Sequence, residues 1–170
     1  MNQPAPDPII LGLLAVQPCH GYQLLEFFHD PNELGRVWTM STSQLYAVLK
    51  RLEQQGFIDG KEIPAADAPT RTEYRLTEAG RVSLYGWLND HQPSASIRRV
   101  RAEFLSRLYI ARLLSVPTAT LVQYQKAACQ LQRKTLLAQR EEAQTGIGLL
   151  ALEFMLIQLD AVLQWIDHCE

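Results

Sequence analysis

Residues 41–58 read Ser41-Thr42-Ser43-Gln44-Leu45-Tyr46-Ala47-Val48-Leu49-Lys50-Arg51-Leu52-Glu53-Gln54-Gln55-Gly56-Phe57-Ile58. A serine followed three residues later by a glutamine is the capping-box start of a helix. The serine oxygen accepts from the backbone N–H three residues on, and the glutamine side chain reaches back to the serine N–H. Leu45, Val48, Leu49 and Leu52 then fall at i, i+3, i+4 and i+7, a single apolar stripe. Gly56 stands where a left-handed glycine ends a helix. Opposite the stripe lie Ser43, Gln44, Tyr46, Ala47 and Lys50, with Arg51 alongside. That face is short-chained and hydrogen-bonding near its start and basic further along, so this helix is buried on one side and offers the other to a partner.

Upstream, Asp7-Pro8 reads as an N-cap followed by proline at the first helical position. Ile9, Ile10, Leu13, Leu14 and Val16 follow, and Gln17-Pro18 ends that helix. After His20-Gly21-Tyr22 a second amphipathic helix carries Leu24, Leu25, Phe27 and Phe28, broken by Asp30-Pro31-Asn32. Downstream of the third helix, Phe57-Ile58 and Ile63 make one short strand, and the alternation Thr72, Tyr74, Leu76 makes a second. The loop between them runs from Pro64 to Arg71, with Arg71 at its tip. Thr77 then caps a fourth helix carrying Val82, Leu84, Trp87 and Leu88. Helix, helix, polar-faced helix, hairpin and helix is the order of a winged helix-turn-helix. His91-Gln92-Pro93-Ser94 reads as a linker, giving domains 1–91 and 92–170.

The second half is helical in pattern, so the fold class is mainly α: a winged helix-turn-helix followed by a helical dimerisation domain. One helix runs from Ile97 to Leu114 with Val100, Phe104, Leu105, Leu108 and Ile110 inward, broken by Ser115-Val116-Pro117. Thr118 caps a long helix whose inner positions are Leu121, Tyr124, Ala128, Leu131, Thr135 and Ala138, a soft a/d seam. Gly146 and Gly148 interrupt it, and a last helix from Ile147 carries apolar residues on nearly every side. One neighbour covers only one stripe of such a helix, and soluble monomers rarely leave so large an apolar patch in water. A homodimer is therefore expected, and its two-fold axis sets two recognition helices about 34–36 Å apart, one turn of a palindromic operator in double-stranded DNA.

An α-helix fits the major groove, and its first turn aims hydroxyls and amides at base edges and phosphates. The candidate DNA-binding residues are Thr42, Ser43, Gln44, Tyr46, Lys50 and Arg51 on the helix, with Arg71 and Thr72 at the hairpin. Gln44 has two uses, bidentate pairing with adenine or closing its own capping box, and it cannot fully serve both. Tyr46, Lys50 and Arg51 suit phosphates, which position a protein without specifying sequence.

Net charge is -2 and the isoelectric point is about 6.1, so any positive field for DNA is local and few phosphates are neutralised. Cys19, Cys129 and Cys169 have neither zinc-site nor redox-motif spacing and read as reduced thiols of a cytoplasmic protein. Residues 1–7 show no signal peptide. The apolar stretch Ile147–Ile166 carries Glu153 and Asp160 near its middle, which argues against a membrane span. Cys19-His20 lacks a third group, the remaining histidines are scattered, and Arg98-Arg99-Val100-Arg101 reads as a solvated helix start. No catalytic residues, metal or cofactor are expected. Phe104, Tyr109, Phe154 and Trp165 are the candidate lining for an aromatic small-molecule effector.

The segments Ile9–Leu14, His20–Leu24, Ser43–Ile58 and Arg71–Arg81 together resemble the PadR-like transcriptional regulators, over residues from about 9 to 88. The helical second half is similar in length and character to the larger PadR subfamily, where that region builds the homodimer. The resemblance implies a signal-responsive regulator, usually a repressor, binding an inverted repeat. It also implies that the helix over 42–55 enters the groove and that Tyr46 touches the DNA backbone. The sequence departs from the family at the hairpin tip, which reads Ala68-Pro69-Thr70-Arg71-Thr72 with Asp67 nearby. Six basic residues (Lys50, Arg51, Lys61, Arg71, Arg75, Arg81) face six acidic ones (Glu53, Asp59, Glu62, Asp67, Glu73, Glu78) over 50–81. That balance predicts weak, salt-sensitive binding. It also supports the alternative, a protein–protein regulatory module whose wing no longer binds DNA.

Overall fold

The computed structural model describes residues 4–64 and 71–169. It is mainly helical, with one small sheet. The chain forms two compact units: residues up to Asn89 with Leu105–Val116, and Asp90–Phe104 with Pro117 onward. A single cut after residue 91 thus does not describe the compact units, because residues 105–116 return to the first.

In the first unit α1 (Asp7–Val16), α2 (Gly21–His29), α3 (Thr42–Gln54) and α4 (Glu78–Leu88) surround a core of Ile9, Ile10, Leu24, Phe28, Leu45, Leu49, Leu52 and Leu84. Each is at most 2% exposed. Burying a side chain of this kind stabilises the fold by about 1.5–3 kcal/mol. The sequence reading of α3 is reproduced: Ser41 Oγ accepts from Gln44 N, Gln44 Oε1 accepts from Ser41 N, and Gly56 adopts φ 71° after the last turn. Thr77 caps α4 through Gly80 N at 3.1 Å. At α1 the reading needs correction. Pro6, not Asp7, holds the cap position, and the Asp7 carboxylate instead receives Arg51.

The sheet has one strand beyond the two expected from the residue pattern. β1 (Cys19–His20) pairs with β3 (Arg71–Leu76), which pairs on its other edge with β2 (Ile58–Ile63), all antiparallel. The β2–β3 ladder runs from Ile58↔Leu76 to Ile63↔Arg71, so the hairpin of a wing is present. Of the expected loop Pro64 to Arg71, residues 65–70 lie outside the described residues, and Arg71, expected at its tip, instead opens β3 opposite Ile63 at the base of the wing.

The helix expected over 97–114 is not uniform. It runs as α5 (Ile97–Arg99), a π-helical segment (Val100–Phe104) and α6 (Leu105–Leu113). α6 completes the first unit: Ile110 packs on Gly12, Ser106 Oγ accepts from Trp38 Nε1 at 2.8 Å, and the Arg107 guanidinium lies 5.3 Å from the centre of the Trp87 ring.

The second unit is dominated by α7 (Ala119–Glu142) packed along α8 (Ile147–Ile166). Thr118 precedes α7 without a side-chain cap bond. The inward face of α7 is Leu121, Val122, Gln125, Cys129 and Leu136, whereas Leu131, Thr135 and Ala138 of the expected seam are exposed. α7 carries two stripes, and the one spaced by sevens (Val122, Cys129, Leu136) is the one that meets α8. Arg133 and Arg140 pair with Asp160 and Glu153, fixing the register of the two helices.

A methyl group on Gly12 would stand 2.4 Å from Ile110 Cγ2, inside any real carbon–carbon contact. Ile110 is fully buried and has nowhere to move. Gly12→Ala should therefore lower unfolding free energy by about 1–3 kcal/mol, the usual penalty of overpacking, as read by urea denaturation. An unchanged midpoint would contradict this packing.

Candidate nucleic-acid interface

Because Leu45, Val48, Leu49 and Leu52 are buried, the opposite face of α3 is turned to solvent. Thr42, Ser43, Gln44, Tyr46 and Lys50 are all exposed there, Tyr46 by 46% despite its ring. The structure brings two further elements against this face. A cleft of about 420 Å³ is lined by Tyr46 from α3, His20, Gly21 and Tyr22 from the start of α2, and Arg71 and Thr72 from β3. Hydroxyls, a guanidinium and aromatic rings thus share one concavity beside the first turn of a helix, an arrangement suited to an anionic backbone.

The individual expectations fare unequally. Gln44 has its side-chain oxygen bonded to Ser41 N at 2.9 Å. Bidentate pairing with adenine would have to break that bond, so only its amide N–H₂ is available without rearrangement. Arg51 is not a free phosphate ligand, since it forms a bidentate pair with Asp7 at 2.7–2.9 Å. Arg75 is held by Glu73 at 2.8 Å, and Arg81 lies 3.7 Å from Glu78. Lys50 and Arg71 have no carboxylate ion-pair partner among the described residues. With Lys61 of β2, they are the cations of this region that no carboxylate holds among the described residues.

Sequence reasoning missed Gly21 and Tyr22 as parts of the site. Their triplet was visible, but its place beside Arg71 follows from the two-residue strand β1, which no periodicity reveals. Tyr22 is 47% exposed. The neighbouring Cys19-His20 pair is not a nucleophilic dyad. Burial, with Glu73 adding, pushes the Cys19 thiol up, and its Sγ donates to Gln17 O at 3.4 Å. His20 Nδ1 lies 3.0 Å from Thr72 O.

The four candidate effector residues are divided between the two units. Phe104 and Trp165 meet edge-to-face within the second unit, centroids 5.8 Å apart. Phe154 lies on α8 and is 61% exposed. Tyr109 belongs to the first unit, where burial chiefly, and the nearby Glu33 and Asp30 carboxylates, hold its phenol well above the ordinary tyrosine range.

Residues 10–85 match the model of the transcriptional regulator PadR-like family. Over this segment the chain is similar to that family. The chain is similar to the negative transcriptional regulator PadR of Bacillus subtilis (strain 168), 35% identical over 106 residues, covering 62% of this chain and 56% of that protein. It is also similar to the probable transcriptional regulator Rv1176c of Mycobacterium tuberculosis, 27% identical over 79 residues, 46% of this chain and 41% of that protein. The chain thus spans about half the length of the curated relatives it matches. Among solved structures, Bacillus subtilis PadR in complex with operator DNA is similar at 24% identity, covering 95% of this chain and 94% of that one, with a TM-score of 0.49.

At the cleft, Gly21 of α2 lies against Tyr46 of α3. A Cβ there would stand 2.7 Å from the Tyr46 hydroxyl. Since Tyr46 is exposed, its ring would swing away and the core would be undisturbed. Gly21→Ala should leave the melting temperature within a few degrees and weaken DNA binding several-fold, measured by fluorescence anisotropy. Unaltered binding would show that the position of Tyr46 is immaterial.

Proposed function

We propose that the protein is a sequence-specific DNA-binding transcriptional regulator. It acts in the cytoplasm as a homodimer on an inverted-repeat operator, most simply as a repressor that a small molecule releases. The observation that carries this reading is the solvent-facing side of α3, where Thr42, Ser43, Tyr46 and Lys50 lie beside the cleft holding Tyr22, Arg71 and Thr72. The PadR-like match over 10–85 supports it. In this reading α3 lies in the major groove, with Thr42 and Ser43 nearest base edges. Tyr46, Lys50 and Arg71 hold phosphates. We assign the protein no catalytic role.

The homodimer is supported by α8. Ile147, Leu150, Phe154 and Ile157 are 61–84% exposed and spaced 3, 4 and 3 residues apart, the rhythm of a helix-packing seam. The exposed stripe of α7 has the same rhythm. α8 is apolar enough to cross a bilayer by length and composition, but Glu153 and Asp160, tied to Arg140 and Arg133, favour a protein partner over lipid. A second copy supplies a matching seam and sets the two α3 helices for a palindrome. Phe154→Glu should shift sedimentation from dimer to monomer while leaving helicity by circular dichroism intact. A dimer that persists at micromolar concentration would place the contact elsewhere.

For the effector, the Phe104–Trp165 pair is the contact between two of the expected lining residues. A planar phenolic acid or drug reaching it would quench tryptophan emission, whereas silence across such a panel would remove this assignment.

The DNA reading is tested by anisotropy against DNA from upstream of the protein's own gene, with scrambled DNA as control, over several salt concentrations. The expected result is sequence-preferring binding with a log–log salt slope of about -4 to -8, from a few phosphate contacts per subunit. The pairing of Arg51, Arg75 and Arg81 with carboxylates favours a second reading, a regulatory protein–protein module. Absence of binding even at low salt would select it.

A further inference from the structure

The structure assigns Tyr22 a role of its own: it is the positioning residue that presents Arg71 to DNA. This rests on the DNA-binding reading above and adds to it a residue that makes Arg71 effective rather than merely present.

The geometry follows from the small sheet. β1 and β3 pair Cys19 with Tyr74 and His20 with Glu73. Continuing that antiparallel register by two residues sets Tyr22 opposite Arg71, although the backbone has already turned into α2. The side chains take up this placement. The Arg71 guanidinium carbon lies 5.4 Å from the centre of the Tyr22 ring, within range of a cation–π contact. The His20 ring lies nearly parallel to Tyr22, at 10° and 5.8 Å between centroids. His20 is itself anchored to the Thr72 carbonyl at 3.0 Å, next to Arg71 in sequence. The base of the wing is thus held to the start of α2 at two adjacent points, a hydrogen bond and a ring–cation contact.

An arginine at the edge of a loop has several rotatable bonds, and ordering them on binding costs free energy. A guanidinium already resting on a rigid ring loses less. Tyr22 also has no core to fill. A ring half open to water beside Arg71, which has no carboxylate ion-pair partner among the described residues while Arg75 is bound to Glu73, is accounted for by this contact.

The experiment is a double-mutant cycle on the full-length protein, with DNA affinity read by anisotropy and folding by thermal unfolding. Arg71→Ala should weaken binding and lower the magnitude of the salt slope by about 1 per subunit, the signature of one lost phosphate contact. Tyr22→Leu should weaken binding about two- to five-fold, the range of an exposed cation–π contact, and should have no further effect in the Arg71→Ala background. Tyr22→Phe keeps the ring face and should stay clearly closer to the parent than Tyr22→Leu does, which separates the ring from the hydroxyl that also lines the cleft. Arg71→Lys keeps the charge and the fold but stacks less well, and should lose affinity while retaining the slope. If Tyr22→Leu and Arg71→Ala are additive, or Tyr22→Phe is as damaged as Tyr22→Leu, the positioning role is wrong while DNA binding stands. If Arg71→Ala leaves affinity and slope untouched, the wing base does not meet DNA, and that part of the functional reading fails with it.

Discussion

Burial of the leucine and valine stripe of α3 governs the organisation of the first unit. Leu45, Leu49 and Leu52 are at most 1% exposed and Val48 is 6% exposed, and α3 packs on α2 and β2. A helix so anchored cannot rotate about its axis without pulling several large side chains from the core, each worth about 1.5–3 kcal/mol. Its polar face is therefore presented in one fixed direction. The capping box fixes where the helix begins, so hydroxyls at Thr42 and Ser43 sit in its first turn. The sheet then brings the base of the wing and the start of α2 to the same side.

The electrostatics are sparing. Many of the basic side chains in this region are matched to a carboxylate, and exposed pairs of this sort contribute only about 0–1 kcal/mol to stability. Their larger consequence is to remove cations from the face that we propose meets DNA. Lys50, Lys61 and Arg71 are left, and a surface with few free charges depends on how well each is placed. Such a surface resists indiscriminate adsorption to nucleic acid and makes geometry, rather than charge density, the source of affinity.

Much of this was legible in the sequence where the physics is local. The Ser41–Gln44 box, the i, i+3, i+4, i+7 stripe, Gly56 and the Thr77 cap each depend on neighbours within a turn or two, and each is present. What was hidden depends on partners far along the chain. Arg51 read as a free cation because Asp7 lies 44 residues away, and that same pairing took Asp7 from the cap it was expected to make. β1 is two residues long, too short for any alternation, yet it mounts Tyr22 beside Arg71. In α7 two apolar stripes compete, and only packing against α8 decides that Val122, Cys129 and Leu136 turn inward. The π-helical segment at Val100–Phe104 has no marker in the residue pattern, and its cause is not evident from its side chains.

The central claim is that one face of the first unit, built from the start of α3 and the base of the wing, is the surface that meets DNA. Amide hydrogen exchange, followed by mass spectrometry with and without a DNA duplex that the protein binds, tests it most directly. The account predicts added protection concentrated in residues 20–23, 42–47 and 71–73, with little change in the buried strand and helix interiors that are already protected. Protection confined to α7 and α8, or spread evenly over basic surface with none at 42–47, would contradict it.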